Sequence, residues 1–155
     1  MNPQNSSPPA DRRCVMAIVD IAGFGDYVRT HAGDDVLRLI DAFCRYVEHA
    51  VSPAGGEVVK MCGDAALVVF AGTPVSRSVD ALRTFRSGDG ELRLATGESV
   101  RVTVRAHCAS VTCGFVGTRG IRDVAGAGVN ELFRLPAGEF VLSDALQHAL
   151  NEDAP

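Results

Sequence analysis

Two carboxylates stand where buried strands are expected to surface. Asp20 ends the apolar run that begins at Cys14, and Asp64 follows a turn at Gly63. A carboxylate beside a dry core is costly unless it is paired or holds a cation. If the first strand is central and lies beside the Asp64 hairpin, the two acids converge, and they repel each other unless a divalent cation lies between them. Oxygen ligands with no His or Cys nearby favour Mg²⁺ or Mn²⁺.

A glycine turn follows the first carboxylate. Gly23, Phe24 and Gly25 place backbone N–H groups at the start of a helix, where they can receive phosphate while Asp20 holds the neutralising cation. Asp20 acting only as a cap for that helix is the alternative. Lys60 lies four residues before Asp64, and a simple surface ion pair between them is an alternative to any role in binding.

A third polar motif lies further along the chain. Asp123 precedes a Gly-rich loop, and Asn130 and Arg134 follow at i, i+4 on one face of a short predicted helix. An amide and a guanidinium with five donors suit a pentavalent phosphate. The alternative is that Asn130 is an N-cap and Arg134 a solvated cation at the helix end.

Hydrophobic periodicity predicts the elements that carry these residues. Strands are predicted over 14–19, 57–61, 65–70, 100–109, 111–116 and 139–142, with a short extended piece from 124. The strands at 57–61 and 65–70 form a hairpin through Cys62-Gly63, 100–109 has one wet face, and 111–116 returns beside it. Helices are predicted over 26–31, 34–51, 76–85, 129–135 and from the Ser143 cap to 150, with a polar loop over 87–90.

The order β-α-α-β-β-α-β-β-(β)-α-β-α has hairpins where an α/β protein would have uniform βαβ units. It predicts an α+β fold with a ferredoxin-like βααββαβ core and helices on a mainly antiparallel sheet. At 155 residues the chain fits one domain, over 14–150. The polar, Pro-rich residues 1–13 are expected to be a disordered tail, and 151–155 a short C-terminal tail.

Composition argues against two classes of partner and indicates the cellular compartment. The formal net charge of −4 argues against a broad surface for nucleic acid or an anionic membrane, so neither is expected as a partner. The five cysteines are odd in number and mostly sit in apolar runs, which is typical of reduced thiols in a cytoplasmic protein. Cys108 and Cys113, expected in one hairpin, lack the flanking ligands of a zinc site.

These motifs together resemble the catalytic domain of the class III nucleotidyl cyclases, the adenylate and guanylate cyclases. The resemblance runs in order from Cys14 to about Leu146. It is carried by five segments: Asp20-Ile-Ala-Gly-Phe24, Gly55-Gly-Glu-Val-Val-Lys60-Met-Cys-Gly-Asp64-Ala65, Val102-Thr-Val-Arg-Ala-His107, Gly114-Phe-Val-Gly117 and Asp123-Val-Ala-Gly-Ala-Gly-Val-Asn130-x-x-x-Arg134.

The resemblance implies a role for each polar residue. Asp20 and Asp64, assisted by the Ile21 carbonyl, would hold two Mg²⁺ or Mn²⁺ ions per site. Lys60 and Asp123 would read the purine, with the adenine-selective pairing. Asn130 would orient the ribose and Arg134 would stabilise charge at the α-phosphate. The implied reaction is conversion of ATP to 3′,5′-cyclic AMP and pyrophosphate by two-metal-ion catalysis in a head-to-tail homodimer.

Several segments depart from the family pattern. The chain ends soon after the last helix, before the C-terminal hairpin of the family, and the segment between Phe70 and Val100 is short. Two alternatives follow. A trimmed pocket could prefer CTP or UTP, as in pyrimidine cyclases of antiphage signalling, or the domain could be a non-catalytic module that binds a nucleotide.

Overall fold

The first strand lies at the centre of a mainly antiparallel sheet. The structure is a computed structural model that describes residues 11–86 and 91–153. Its strands are β1 (Asp11–Ile21), β2 (Glu57–Cys62), β3 (Ala65–Phe70), β4 (Glu91–Arg93), β5 (Ser99–Val116), β6 (Ile121–Ala125) and β7 (Phe140–Leu142). The sheet order is β2-β3-β1-β5-β4; β6 pairs antiparallel with the end of β5, and β7 pairs with its middle in parallel.

The chain has five described helices: α1 (Phe24–Thr30), α2 (Gly33–Val51), α3 (Val75–Arg83), α4 (Ala127–Phe133) and α5 (Asp144–Glu152), with a 3-10 turn at Ser52–Ala54. Helices α2, α3 and α5 cover one face of the sheet. The buried stripe of α2 is Leu39, Phe43, Val47 and Val51, which fits its 3.6-residue period. It packs with residues of α3 and α5 against every second residue of β1 and β3, forming the larger core. The predicted α+β class is therefore confirmed.

The opposite face of the sheet carries a smaller core under α4. Met16 and Ile18 of β1, Leu67 of β3 and Leu132 of α4 are all at most 2% exposed. Asp20 and Arg105 continue the same alternation on their strands, so they belong to this face. The fold thus places Asp20 on the face of the sheet that carries α4.

Gly128 allows α4 to lie close to the sheet. A Cβ added at this position would stand 2.4 Å from the Cβ of Ala109, a distance that real structures essentially never show. The obstacle is the rigid base of a strand residue, so α4 itself must move. The Gly fixes the height of the helix that carries Asn130 and Arg134.

We expect Gly128→Ala to destabilise the fold by about 1–3 kcal/mol, because overpacking outweighs the better helix propensity of Ala. Urea unfolding measures the change. Gly33→Ala is the matched control, since its added Cβ meets nothing within 4 Å and it opens α2. Equal stability of the Gly128→Ala variant and the parent would contradict the close approach.

Three sequence predictions about the strands are wrong. β5 runs without a break from Ser99 to Val116, so Cys108 and Cys113 share one strand; the return strand is β6. The face of β5 that was predicted to be exposed to solvent is covered near its middle because α4 packs there, leaving His107 only 6% exposed. β1 begins at Asp11, three residues inside the predicted tail. The short strand β4 was not predicted from the sequence.

The remaining boundaries are close to prediction. The hairpin turn falls at Gly63-Asp64 because β2 extends through Cys62, and Gly63 has a positive φ of 68°. Ser143 caps α5 by accepting a hydrogen bond from the Leu146 amide, as predicted. The predicted loop at 87–90, residues 1–10 and the last two residues lie outside the described residues. Within the described residues, no helix is both long and apolar enough to cross a membrane.

Candidate active site

The end of β1 brings Asp20 beside Asp64. β1 and β3 are antiparallel neighbours in which Asp20 is opposite Ala65, and the Ile21 amide donates to the Asp64 carbonyl at 3.2 Å. Asp64 lies in the turn that opens β3, so its position follows from the same pairing. The convergence predicted from the sequence is present in the fold.

The Asp20 carboxylate lies in an unfavourable setting for a negative charge. Its Oδ1 atom is buried and has no hydrogen-bond partner within residues 11–86 and 91–153. Burial first, and then repulsion by Asp64, raises the pKa of Asp20 from 3.8 to about 6. An orphaned, buried carboxylate oxygen next to a second carboxylate is the donor set that a hard divalent cation would satisfy.

Arg105 is a residue near this pair that the sequence analysis did not single out. It lies on β5 opposite Ile18, close enough to Asp20 for its positive charge to oppose the rise in the pKa of Asp20. Its Nη1 also donates to the Leu135 carbonyl, just beyond α4, at 3.3 Å. The alternation of β5 placed Arg105 on the side of Thr103 and His107; only the position of α4 shows that this side is covered.

Lys60 pairs with Asp123 rather than with Asp64. The Lys60 Nζ atom lies 2.8 Å from Oδ1 and 2.9 Å from Oδ2 of Asp123, across from β2 to β6. The Lys60 hydrogen bond, followed by one from the Val124 amide, lowers the pKa of Asp123. The alternative of a local ion pair within the β2–β3 hairpin is therefore wrong. Both side chains keep part of their surface in solvent, 38% for Lys60 and 25% for Asp123.

Asn130 and Arg134 lie one turn apart on α4. The Arg134 amide donates to the Asn130 carbonyl at 3.1 Å, and Arg134 is the C-cap of the helix. Asn130 is inside the helix and Gly126 is the N-cap, so the N-cap alternative for Asn130 is wrong. Both residues are exposed, and neither side chain has a hydrogen-bond or ion-pair partner in the described part of the chain.

The turn after β1 is formed as expected, although one of its residues also serves the core. Gly23 is the left-handed N-cap of α1 with φ of 75°, and Gly25 lies in the first turn with open space around its Cα. Phe24 packs partly against the larger core. Ile21 is buried, and the Asp64 carbonyl accepts from its amide.

Among residues 11–86 and 91–153, no third acidic, His or Cys side chain joins the carboxylate pair in a group that could hold a metal ion. The same holds throughout the described part of the chain, where no group of three or more such side chains could hold a metal ion. A cation bound between Asp20 and Asp64 would therefore need backbone carbonyls, water or a ligand to complete its coordination.

The fold of the chain is similar to that of proteins of known structure. No protein-family model and no curated protein matches the chain. Solved structures do match. The catalytic core of a rhodopsin-guanylyl cyclase with converted specificity, in complex with ATPαS, has a TM-score of 0.78 at 22% identity, over 92% of this chain and 84% of that chain. The chain has the fold of a class III nucleotidyl cyclase catalytic domain.

Two further structures with the cyclase fold match over a similar span. The guanylate cyclase domain of RhGC from Catenaria anguillulae, in complex with GTP, has a TM-score of 0.75 at 22% identity, covering 91% of this chain and 84% of that chain. A bacterial light-regulated adenylyl cyclase has a TM-score of 0.80 at 18% identity, covering 93% of this chain and 46% of that chain. The matching structures therefore include both adenylyl and guanylyl cyclases.

Proposed function

We propose that this protein is a nucleotide cyclase that converts ATP to 3′,5′-cyclic AMP and pyrophosphate. The observation that carries the proposal is the carboxylate pair, Asp20 and Asp64, at the end of the central strand of a cyclase fold, with an orphaned oxygen on Asp20. The Lys60–Asp123 pair and the exposed Asn130–Arg134 pair supply the remaining polar groups.

The carboxylate pair is the proposed site for divalent cations. Asp20 and Asp64, with the Ile21 carbonyl, would hold Mg²⁺ or Mn²⁺, two per complete site. Bound cations would supply activation of the ribose 3′-hydroxyl and neutralisation of the triphosphate and pyrophosphate. Gly23, Phe24 and Gly25 would approach the phosphates through backbone N–H groups. The fit rests on the donor chemistry, since the oxygens are hard ligands and one of them lacks any other partner.

The Lys60–Asp123 pair is the proposed reader of the base. Lys60 has three ammonium donors, and Asp123 has two carboxylate oxygens with several lone pairs. Their mutual ion pair leaves capacity on both groups. An adenine offers a ring nitrogen that accepts and an amino group that donates, so this pair is complementary to it.

We expect Lys60→Met to lower kcat/KM for ATP by about 10- to 100-fold, because a buried acceptor of the base then lacks its donor. The ratio of kcat/KM values for ATP and GTP measures the change in selectivity. Arg93→Met, at an exposed cation on β4, is the control. An unchanged ratio would remove Lys60 from base recognition.

The Asn130–Arg134 pair is proposed to act on the sugar and the reacting phosphate. Asn130 would hold the ribose, and the Arg134 guanidinium would meet the charge that develops at the α-phosphate. We propose a head-to-tail homodimer, in which these residues of one copy face Asp20 and Asp64 of the other. Exposed polar side chains without partners within the described residues suit groups that await a ligand.

The product test is direct. The pure protein is incubated with Mn²⁺ and, separately, ATP, GTP, CTP or UTP, and the products are resolved by mass. The proposal expects cyclic AMP to dominate and an Asp64→Asn variant to make none. Predominant cyclic CMP, cyclic UMP or cyclic GMP would overturn the base assignment. No cyclic nucleotide from any substrate, with nucleotide binding retained, would leave a non-catalytic binding module.

A further inference from the structure

Strand β5 contacts α4 at Glu131 and the chain just beyond the end of α4 at Leu135. The His107 Nε2 atom lies 2.9 Å from Oε2 of Glu131, and the Arg105 guanidinium donates to the Leu135 carbonyl. Arg105 and His107 are two apart on one strand face, while Glu131 lies in α4 and Leu135 follows the C-cap of that helix. The anchored positions immediately follow Asn130 and Arg134, so each anchor lies next to one of these residues.

His107 also connects α4 to α5. Its Nδ1 atom lies 2.8 Å from the Ser143 hydroxyl, which accepts a hydrogen bond from the Leu146 amide as the cap of α5. A hydroxyl that accepts from an amide still has its own hydrogen to donate. We therefore assign Ser143 as the donor to Nδ1 and the His107 Nε2–H as the donor to Glu131.

The series of contacts from Ser143 through His107 to Glu131 is buried at Ser143 and His107 and exposed at Glu131. The His107 side chain is 8% exposed, whereas the Glu131 side chain is 57% exposed. Ser143 is also buried. A buried imidazole with both nitrogens engaged has a single orientation. Helix α4 has only seven residues, so its own hydrogen bonds do little to fix its orientation.

We propose that His107 is a positioning residue that, through Glu131 and Ser143, sets the orientation of α4 and hence of Asn130 and Arg134. The inference rests on the proposed function for its catalytic consequence. It does not make His107 a catalytic residue, because the imidazole contacts Glu131 and Ser143 and is not placed against the reacting atoms. A displacement of about 1 Å at such a group can cost about 100-fold in rate.

The test uses variants that break one link at a time in the full chain. Glu131→Ala removes the acceptor, and Glu131→Gln keeps an acceptor without the charge. His107→Gln retains a donor near the position of Nε2, whereas His107→Asn retains an amide near the position of Nδ1. Glu139→Ala, which removes an exposed carboxylate nearby, is the control.

Two readouts separate positioning from general stability. Amide hydrogen exchange should rise at least about tenfold over 127–135 in Glu131→Ala and His107→Asn, with β1 and β3 unchanged. In the cyclase assay, corrected for folded fraction, kcat should fall about 10- to 100-fold while KM changes less than about threefold. Glu131→Gln should recover most of the loss, and Glu139→Ala should match the parent.

The outcomes are distinct from those of the proposed function. If the parent protein makes no cyclic nucleotide, the proposed function fails, and the exchange measurement still decides whether His107 orders α4. If the parent is active, unchanged exchange over 127–135 in both Glu131→Ala and His107→Asn overturns the positioning role. Uniformly raised exchange across the sheet, or equal losses in Glu131→Ala and Glu131→Gln, also contradicts it.

Discussion

Mixing Asp20→Ala chains with Arg134→Ala chains should restore cyclase activity that neither variant has alone. Each variant removes a different half of the proposed shared site, and loss of one charge-stabilising group costs about 100- to 1,000-fold in kcat. In a symmetric homodimer, random exchange makes half of the dimers mixed, and each mixed dimer has one intact site. The mixture should therefore reach about a quarter of the parent activity.

The experiment needs proof that mixed dimers form. Two affinity tags, one on each variant, allow the mixed dimer to be isolated before cyclic nucleotide formation is measured. Asp20→Ala mixed with Asp64→Ala is the matched control, because both changes affect the same half and no intact site is rebuilt. An isolated mixed dimer of Asp20→Ala and Arg134→Ala that stays inactive would contradict a site shared between copies.

Replacing Asp20 by Asn should stabilise the cation-free protein at neutral pH. Burial and then repulsion by Asp64 raise the pKa of Asp20 from 3.8 to about 6 in the folded state. The folded protein therefore binds a proton that the unfolded chain has lost, and stability falls as pH rises through that interval. After discounting for the partial exposure of the site, we expect Asn to gain about 1–2 kcal/mol above pH 6.

A divalent cation should reverse this difference. At 100 times its dissociation constant, a ligand that binds only the folded state adds about 2.7 kcal/mol, which the parent should gain and Asp20→Asn should lose. Urea unfolding from pH 4 to pH 8, with and without Mn²⁺, measures both effects. Glu139→Gln, at an exposed carboxylate, should follow the parent. Equal stabilisation of the parent and Asp20→Asn by Mn²⁺ would exclude Asp20 from the cation site.

The sequence predicted the central part of this fold because its signals are local. The unbroken apolar run of β1 indicates a strand buried on both faces, and the 3.6-residue period of α2 indicates one covered helix face. The convergence of Asp20 and Asp64 follows once β1 lies beside β3. These features depend on neighbouring residues or on one strand pairing.

The features that the sequence did not predict depend on contacts between distant segments. β5 continues through Ala109 and Ser110 because β1, β6 and β7 all pair with it, and no local signal reports those partners. The pairing of Lys60 with Asp123 requires β2 and β6 to meet. The buried state of His107 depends on α4, whose close approach requires Gly128.

The central claim is that Asp20 and Asp64 form a divalent cation site, and Mn²⁺ binding tests it most directly. Free Mn²⁺ is followed by its electron paramagnetic resonance signal while the full chain is titrated in the presence of a non-reactive ATP analogue. The account predicts saturable binding by the parent and by Glu139→Gln that is lost in Asp20→Asn and Asp64→Asn. Binding by the parent no greater than by Asp20→Asn would contradict it.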